Sequence, residues 1–131
     1  MPIRVDAGSP VPIYEQIADQ LVFAVAGGDL VAGDLVPSVR DLSVQLTVNP
    51  NTVVRAYQQL EQLGVLEPLR GRGMVVTADA ARRCKARRKE LLRERVDELI
   101  REAVSAGLSD DDLKQLIDAG WPSVSRNGKK A

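Results

Sequence analysis

The sequence predicts a mainly α chain with one small β-hairpin, on three observations. Apolar residues recur at helical spacing through most of the chain, a proline stands between two asparagines where both flanks look helical, and two short β-prone runs enclose a glycine-bearing turn. At 131 residues there is room for one compact domain and an appendage, and too little for two enzyme-sized domains.

Cysteine occurs once, as Cys84, and histidine not at all. A lone cysteine forms no internal disulfide, and without histidine the usual zinc sites and the commonest general base are missing. No metal, cofactor or catalytic residue is therefore expected. No apolar run approaches the ~20 residues that span a bilayer, and MPIRVDAGSPVP has no signal-peptide core, so the expectation is a cytoplasmic protein.

The first helix is expected from about Pro12 to Ala26, with Ile13, Ile17, Leu21 and Val25 on one stripe. Gly27-Gly28 ends it, and Gly33-Asp34 turns the chain before the apolar pair Leu35-Val36. Ser38-Val39-Arg40-Asp41 then offers a reciprocal cap for a short helix over Val39 to Leu46, faced by Leu42 and Leu46.

The proline at position 50 is explained by backbone donors. The first N–H groups of a helix have no partner within it, so a residue without an N–H costs nothing at the first helical position, and the ring pre-sets φ. Pro50 therefore starts a helix, Asn49 caps it, and Val53, Tyr57 and Leu60 supply its apolar face as far as Gly64, which suits a left-handed C′ position. Thr47, Val48 and Asn49 join the two helices, the linker length of a helix-turn-helix. Val65 to Leu69 and Met74 to Thr77 then flank Arg70-Gly71-Arg72-Gly73, a hairpin with an arginine-bearing tip. Pro68 has no ladder donor, so it should face out or end its strand. This order describes a winged helix-turn-helix over residues 1–77.

Charge placement agrees. Residues 1–77 hold five Arg or Lys against eight Asp or Glu, a net of −3, while residues 78–131 carry +3. Neither balance announces nucleic-acid binding by itself. Yet four of the five cations, Arg40, Arg55, Arg70 and Arg72, fall on the second helix, the recognition helix and the wing, where phosphates would be held.

The ordered set Pro12-Ile13-Tyr14-Glu15-Gln16-Ile17, Gly33-Asp34-x-x-Pro37-Ser38-x-Arg40-x-Leu42, Asn51-Thr52-Val53, Leu60-Glu61-x-x-Gly64 and Gly71-x-Gly73 resembles the DNA-binding domain of GntR-family bacterial transcription regulators. The Asn-Pro-Asn-Thr form and the short C-terminal segment resemble the YtrA-like branch, whose members carry a small helical dimerisation segment and are associated with transporter genes. The resemblance implies DNA contacts at Arg40, Asn49, Asn51, Thr52, Arg70 and Gly71. With Ser38, Pro50, Arg55 and Arg72 these make the candidate DNA-contacting set. Asn51 is the candidate for reading a base edge, since asparagine pairs with adenine through two hydrogen bonds. Many relatives carry arginine where this chain has Pro50 and Val54, which leaves more to Arg55, the wing and DNA shape.

Beyond about Ala78 the composition changes. Eight basic residues against two acidic lie between Arg82 and Arg95, and a helix is expected from Asp79 to Ala106. Ser109 then caps a last helix whose apolar residues are Leu113, Leu116 and Ile117, ending at Gly120-Trp121-Pro122, with residues 123–131 expected to form a tail without regular structure. At ~1.5 Å per residue the first of these two C-terminal helices would be about 40 Å long, against ~30 Å for the compact domain. Its stripe of Leu91, Leu92, Val96, Leu99, Ile100 and Ala103, with Leu113, Leu116 and Ile117, is therefore expected to pair with a second copy as a homodimer spanning residues 78–122. Two recognition helices would then read a pseudo-palindromic operator in double-stranded DNA.

The function expected is that of a dimeric, sequence-specific DNA-binding repressor, with a small-molecule effector of unknown identity left open. The alternative is a winged-helix protein-interaction module whose arginines are ordinary surface charge. The basic run 82–95 has three readings: a solvated face, a flanking phosphate contact, or a mate for acids of the partner helix.

Overall fold

The computed structural model describes residues 2–129, in the order α1 (Ile13–Ala26), α2 (Val39–Leu46), α3 (Pro50–Gln62), β1 (Leu66–Leu69), β2 (Gly73–Val76), α4 (Ala80–Ser105) and α5 (Asp110–Lys129). Two compact units are present, one ending at Glu90 and the other beginning at Leu91. None of the helices among the described residues is long and apolar enough to cross a membrane.

The first unit is built on α3. Helices α1 and α2 both pack against it, and Ile17, Leu21, Leu42, Val53, Ala56 and Leu60 are almost completely buried there. These are the expected stripes, one side chain per turn. Ahead of α1, residues 3–11 are tied down by two glutamines acting as surrogate strands. The Gln16 side chain accepts from the Asp6 N–H and donates to the carbonyls of Asp6 and Val11, at 2.8–2.9 Å, while Gln20 accepts from the Arg4 N–H at 3.0 Å.

Helix α3 ends in a Schellman turn: the Val65 N–H reaches the Leu60 carbonyl at 2.9 Å, the Gly64 N–H reaches Glu61 at 3.0 Å, and Gly64 has φ +77°. The chain enters β1 directly from this turn. Strands β1 and β2 pair antiparallel with Leu66 opposite Val76 and Pro68 opposite Met74, and Pro68 is exposed as expected. Thr77 closes the base of the hairpin, its hydroxyl donating to the Gly64 carbonyl at 2.6 Å.

The hairpin has a third participant. The Gly33 N–H donates to the Val76 carbonyl, the Val36 N–H to Met74, and the Val76 N–H to Asp34, all at 2.9–3.0 Å, with Leu35 bridged to Val75. Residues 33–36 thus line the outer edge of β2. The sequence shows only two apolar residues there, too few for a period, so this pairing was not legible.

The compact unit that holds the winged helix-turn-helix runs past residue 77 to Glu90. Ala80 and Cys84, at i and i+4 on α4, are 1% and 0% exposed, so the first turns of α4 are part of the core of the first unit. The neighbouring arginines signal a polar surface helix; two small residues on the opposite face suffice for close packing. Burial pushes the Cys84 thiol up to about 11 from its ordinary 9.0. The sign is that of a group whose neutral form is favoured by folding: its stabilisation is complete below the unfolded value of 9.0 and is lost as pH rises towards 11. Urea midpoints should therefore hold steady around neutrality and decline at alkaline pH, with a shallower decline in Cys84→Ala; an identical decline in both proteins would assign it to other groups.

In the second unit, both halves of a capping box form at the start of α5. The Asp112 N–H donates to the Ser109 hydroxyl and the Ser109 N–H to the Asp112 carboxylate, each at 3.1 Å. The expected stop at Gly120-Trp121-Pro122 is overturned. Helix α5 continues through Pro122 to Lys129, so residues 123–129 of the expected tail are helical, and residues 130–131 lie outside the described range. An interior proline removes one backbone donor and crowds the carbonyl one turn back, which costs a helix stability without necessarily ending it.

Candidate nucleic-acid interface

The two helices of the motif are fixed by their caps. Ser38 accepts from the Asp41 N–H at 3.0 Å and starts α2; the return bond of the expected box is not made. Asn49 accepts from the Asn51 N–H at 2.8 Å, with Pro50 in the first turn of α3 as the donor argument requires. Between them the chain reverses at Thr47, which has φ +54° and closes α2 through the Val48 N–H on the Ser43 carbonyl at 3.0 Å. A β-branched residue there bears strain that glycine would not, on the order of 1–2 kcal/mol.

Tyr57 ties α3 to the segment that leads into α2. Its hydroxyl donates to the Pro37 carbonyl at 2.6 Å, one residue ahead of the α2 cap, and the side chain is 4% exposed, so it is core and not a stacking platform. Burial raises the phenol above its ordinary range. Tyr57→Phe leaves a carbonyl without its donor at little change in volume and should cost about 1–2 kcal/mol of stability in a urea titration. A variant as stable as the parent would show that water replaces the bond.

All ten candidate DNA-contacting residues are accessible. Ser38, Arg40, Asn49, Pro50, Asn51, Arg55, Arg70, Gly71 and Arg72 are exposed and Thr52 is half-buried. Ser38 and Arg40 open α2, Asn49 to Arg55 form the first turn and a half of α3, and Arg70 to Arg72 form the wing tip, where Gly71 takes φ +77° and the Arg72 N–H closes the turn on the Leu69 carbonyl at 2.8 Å. On α3 the exposed residues are Pro50, Asn51, Arg55, Gln58, Glu61 and Gln62, and of these 51, 55, 58 and 62 form one helical face directly opposite the buried Val53, Ala56, Tyr57 and Leu60. Gln58 therefore shares the outward face with Asn51 and Arg55. The sequence reading overlooked it, although its spacing of seven from Asn51 carries the signal.

Arg55 is not paired with Gln59 or a C-terminal acid. Its guanidinium lies over the Tyr14 ring of α1, 4.0 Å from the centroid. At the start of α4, Asp79 accepts from Arg82 and Arg83, and the Arg82 bond leads in holding its carboxyl below the usual range. Arg87 bonds Glu90 at 3.0 Å. Three cations of the basic run are thus already matched to acids of their own helix turn.

The expected dimer residues divide. Leu91 and Ala103 are each 6% exposed within the single chain and need no partner for cover. Leu92, Val96, Leu99, Ile100, Leu116 and Ile117 are exposed and Leu113 is half-buried; Val104, Trp121 and Val124 are exposed beside them in sequence.

A family model described as bacterial regulatory proteins, gntR family, matches residues 13–76. The chain is 37% identical over 128 residues to the HTH-type transcriptional repressor YtrA of Bacillus subtilis (strain 168), covering 98% of each chain. Among solved structures, it resembles a GntR family transcriptional regulator from Listeria monocytogenes at TM-score 0.72 and 30% identity, covering 88% of this chain and 98% of that one. It also resembles YtrA from Sulfolobus acidocaldarius, a GntR-family transcription factor, at TM-score 0.56 and 36% identity, over 75% and 96% of the two chains. The capped helix pair, the hairpin and these likenesses agree: the chain belongs to the GntR family of bacterial regulatory proteins and is a DNA-binding transcription regulator, not an enzyme.

Proposed function

We propose that two copies of this chain bind a pseudo-palindromic operator and repress transcription by occupying promoter DNA, with transporter genes as the target class the YtrA-like branch suggests. The observation that carries this reading is the exposed face of Asn51, Arg55 and Gln58 on a proline-started helix, together with the exposed Arg40 on α2 and Arg70 and Arg72 on the wing. A protein adaptor has no evident need to combine these groups. In a groove, asparagine and glutamine meet base edges while the arginines and the amides at helix starts hold phosphates. The repressor named among its relatives supports the direction of control.

The dimer rests on a different observation. Leu92, Val96, Leu99 and Ile100 recur along one side of α4, each between 43% and 54% exposed, and Leu116 and Ile117 follow on α5. A monomer gains by covering such a stripe, and a second copy presents the same one. No cofactor enters the proposed activity, and a small-molecule effector would be an addition to it.

Selection of bound duplexes from a random pool tests the reading. An inverted repeat with half-sites about one helical turn apart is the expected result. Recovery of a single unrepeated site would reject the two-fold arrangement, and recovery of no consensus would reject sequence reading altogether.

A further inference from the structure

Resting on the operator reading above, we propose that Tyr14, on α1, is a positioning residue that holds Arg55 as a phosphate clamp at the edge of the recognition helix. The guanidinium carbon lies 4.0 Å from the centroid of the Tyr14 ring, a stacking distance. Stacking covers the flat face of an arginine and leaves its edge of five N–H donors open. Among the described residues no carboxylate or carbonyl accepts from Arg55, so that edge is unspent.

The choice of an aromatic neighbour is informative. Glu15, the next residue on α1, accepts from the Tyr14 hydroxyl at 3.2 Å and makes no ion pair with Arg55, so it is the ring that fixes the direction of the guanidinium. Nor does the stack serve to hold α1 on α3, because Ile17, Leu21, Val53, Ala56 and Leu60 already do so, each no more than 1% exposed.

Position favours phosphate over base. Arg55 stands one turn beyond Asn51 on the exposed face of α3, but its head is drawn sideways to the first turn of α1. A side chain drawn off the helix crest meets the groove wall, where the backbone runs, while Asn51 keeps the floor. Tyr14 thus divides the work between two residues that share one helical face.

The test is a double-mutant cycle on the full chain, titrating the selected operator and a scrambled duplex at several salt concentrations, with a thermal melt of every variant. Arg55→Ala should flatten log K against log salt by about one unit per protomer and leave base preference unchanged. Tyr14→Phe keeps the ring and should bind as the parent does. Tyr14→Leu should weaken binding about two- to fivefold per protomer, the worth of an exposed stack of this kind, and should have no effect once Arg55 is alanine. Should Tyr14→Leu not fold, Tyr14→Gln takes its place. Equal losses from Tyr14→Leu in both backgrounds would reduce Tyr14 to packing, and a shift in base preference from Arg55→Ala would make Arg55 a base reader; either result overturns the proposal. If the parent itself fails to prefer operator to scrambled DNA, the operator reading fails, and the salt slopes on scrambled duplex still judge the stack.

Discussion

Leu99→Asp with Ile100→Asp is expected to leave a folded monomer and to lower operator affinity by two orders of magnitude or more. The two side chains are 47% and 43% exposed in one chain, so neither holds the protomer together. Each would contribute on the order of 1–2 kcal/mol by burying its exposed part in a dimer, whereas a carboxylate forced into that interface has no partner and is costly. Loss of the second protomer converts a tethered second half-site into an independent binding event, a penalty of about 10²–10⁴ in affinity. Sedimentation velocity with and without operator reads both effects. A pair of aspartates that leaves the dimer intact would place the interface on another surface.

The second large effect separates reading from holding. The Asn49 cap bonds the backbone N–H of Asn51, not its side chain, so Asn51→Ala leaves the start of α3 intact and removes only what the carboxamide does outside the chain. It should cost about 1–3 kcal/mol of discrimination per half-site between operator and scrambled duplex, with the salt slope unchanged. Arg70→Ala with Arg72→Ala should do the converse. Both arginines stand on an exposed turn closed by backbone bonds alone, so stability is unaffected, while the slope should flatten by about two units per protomer and base preference should persist. Competition titrations of the two variants at matched salt check the pair. Similar losses of preference in both would mean that the helix and the wing are not divided in this way.

What could be read from the sequence was what is decided locally. The limits of α2, the start of α3 at Pro50, the Asn49 cap and the left-handed Gly64 each follow from a residue and its neighbours within one turn, and all appear in the structure. Pairings across the chain were not legible. The strand-like run of residues 33–36 on β2 and the Arg55–Tyr14 stack join segments far apart in sequence, and neither has a periodic signature. Helix α5 runs further than its sequence signals because it passes through the proline of a Gly-x-Pro run, and the polarity of the first turns of α4 hides that Ala80 and Cys84 pack as core behind a charged face.

The most direct measurement is the affinity of the unaltered protein for selected operator and for scrambled duplex over a range of salt. The account predicts a steep fall of log K with log salt on both, about 0.9 unit per neutralised phosphate, and a preference for operator of roughly 10³-fold or more that survives the salt change. Equal affinity for the two duplexes at every salt concentration, or no salt dependence at all, would contradict it.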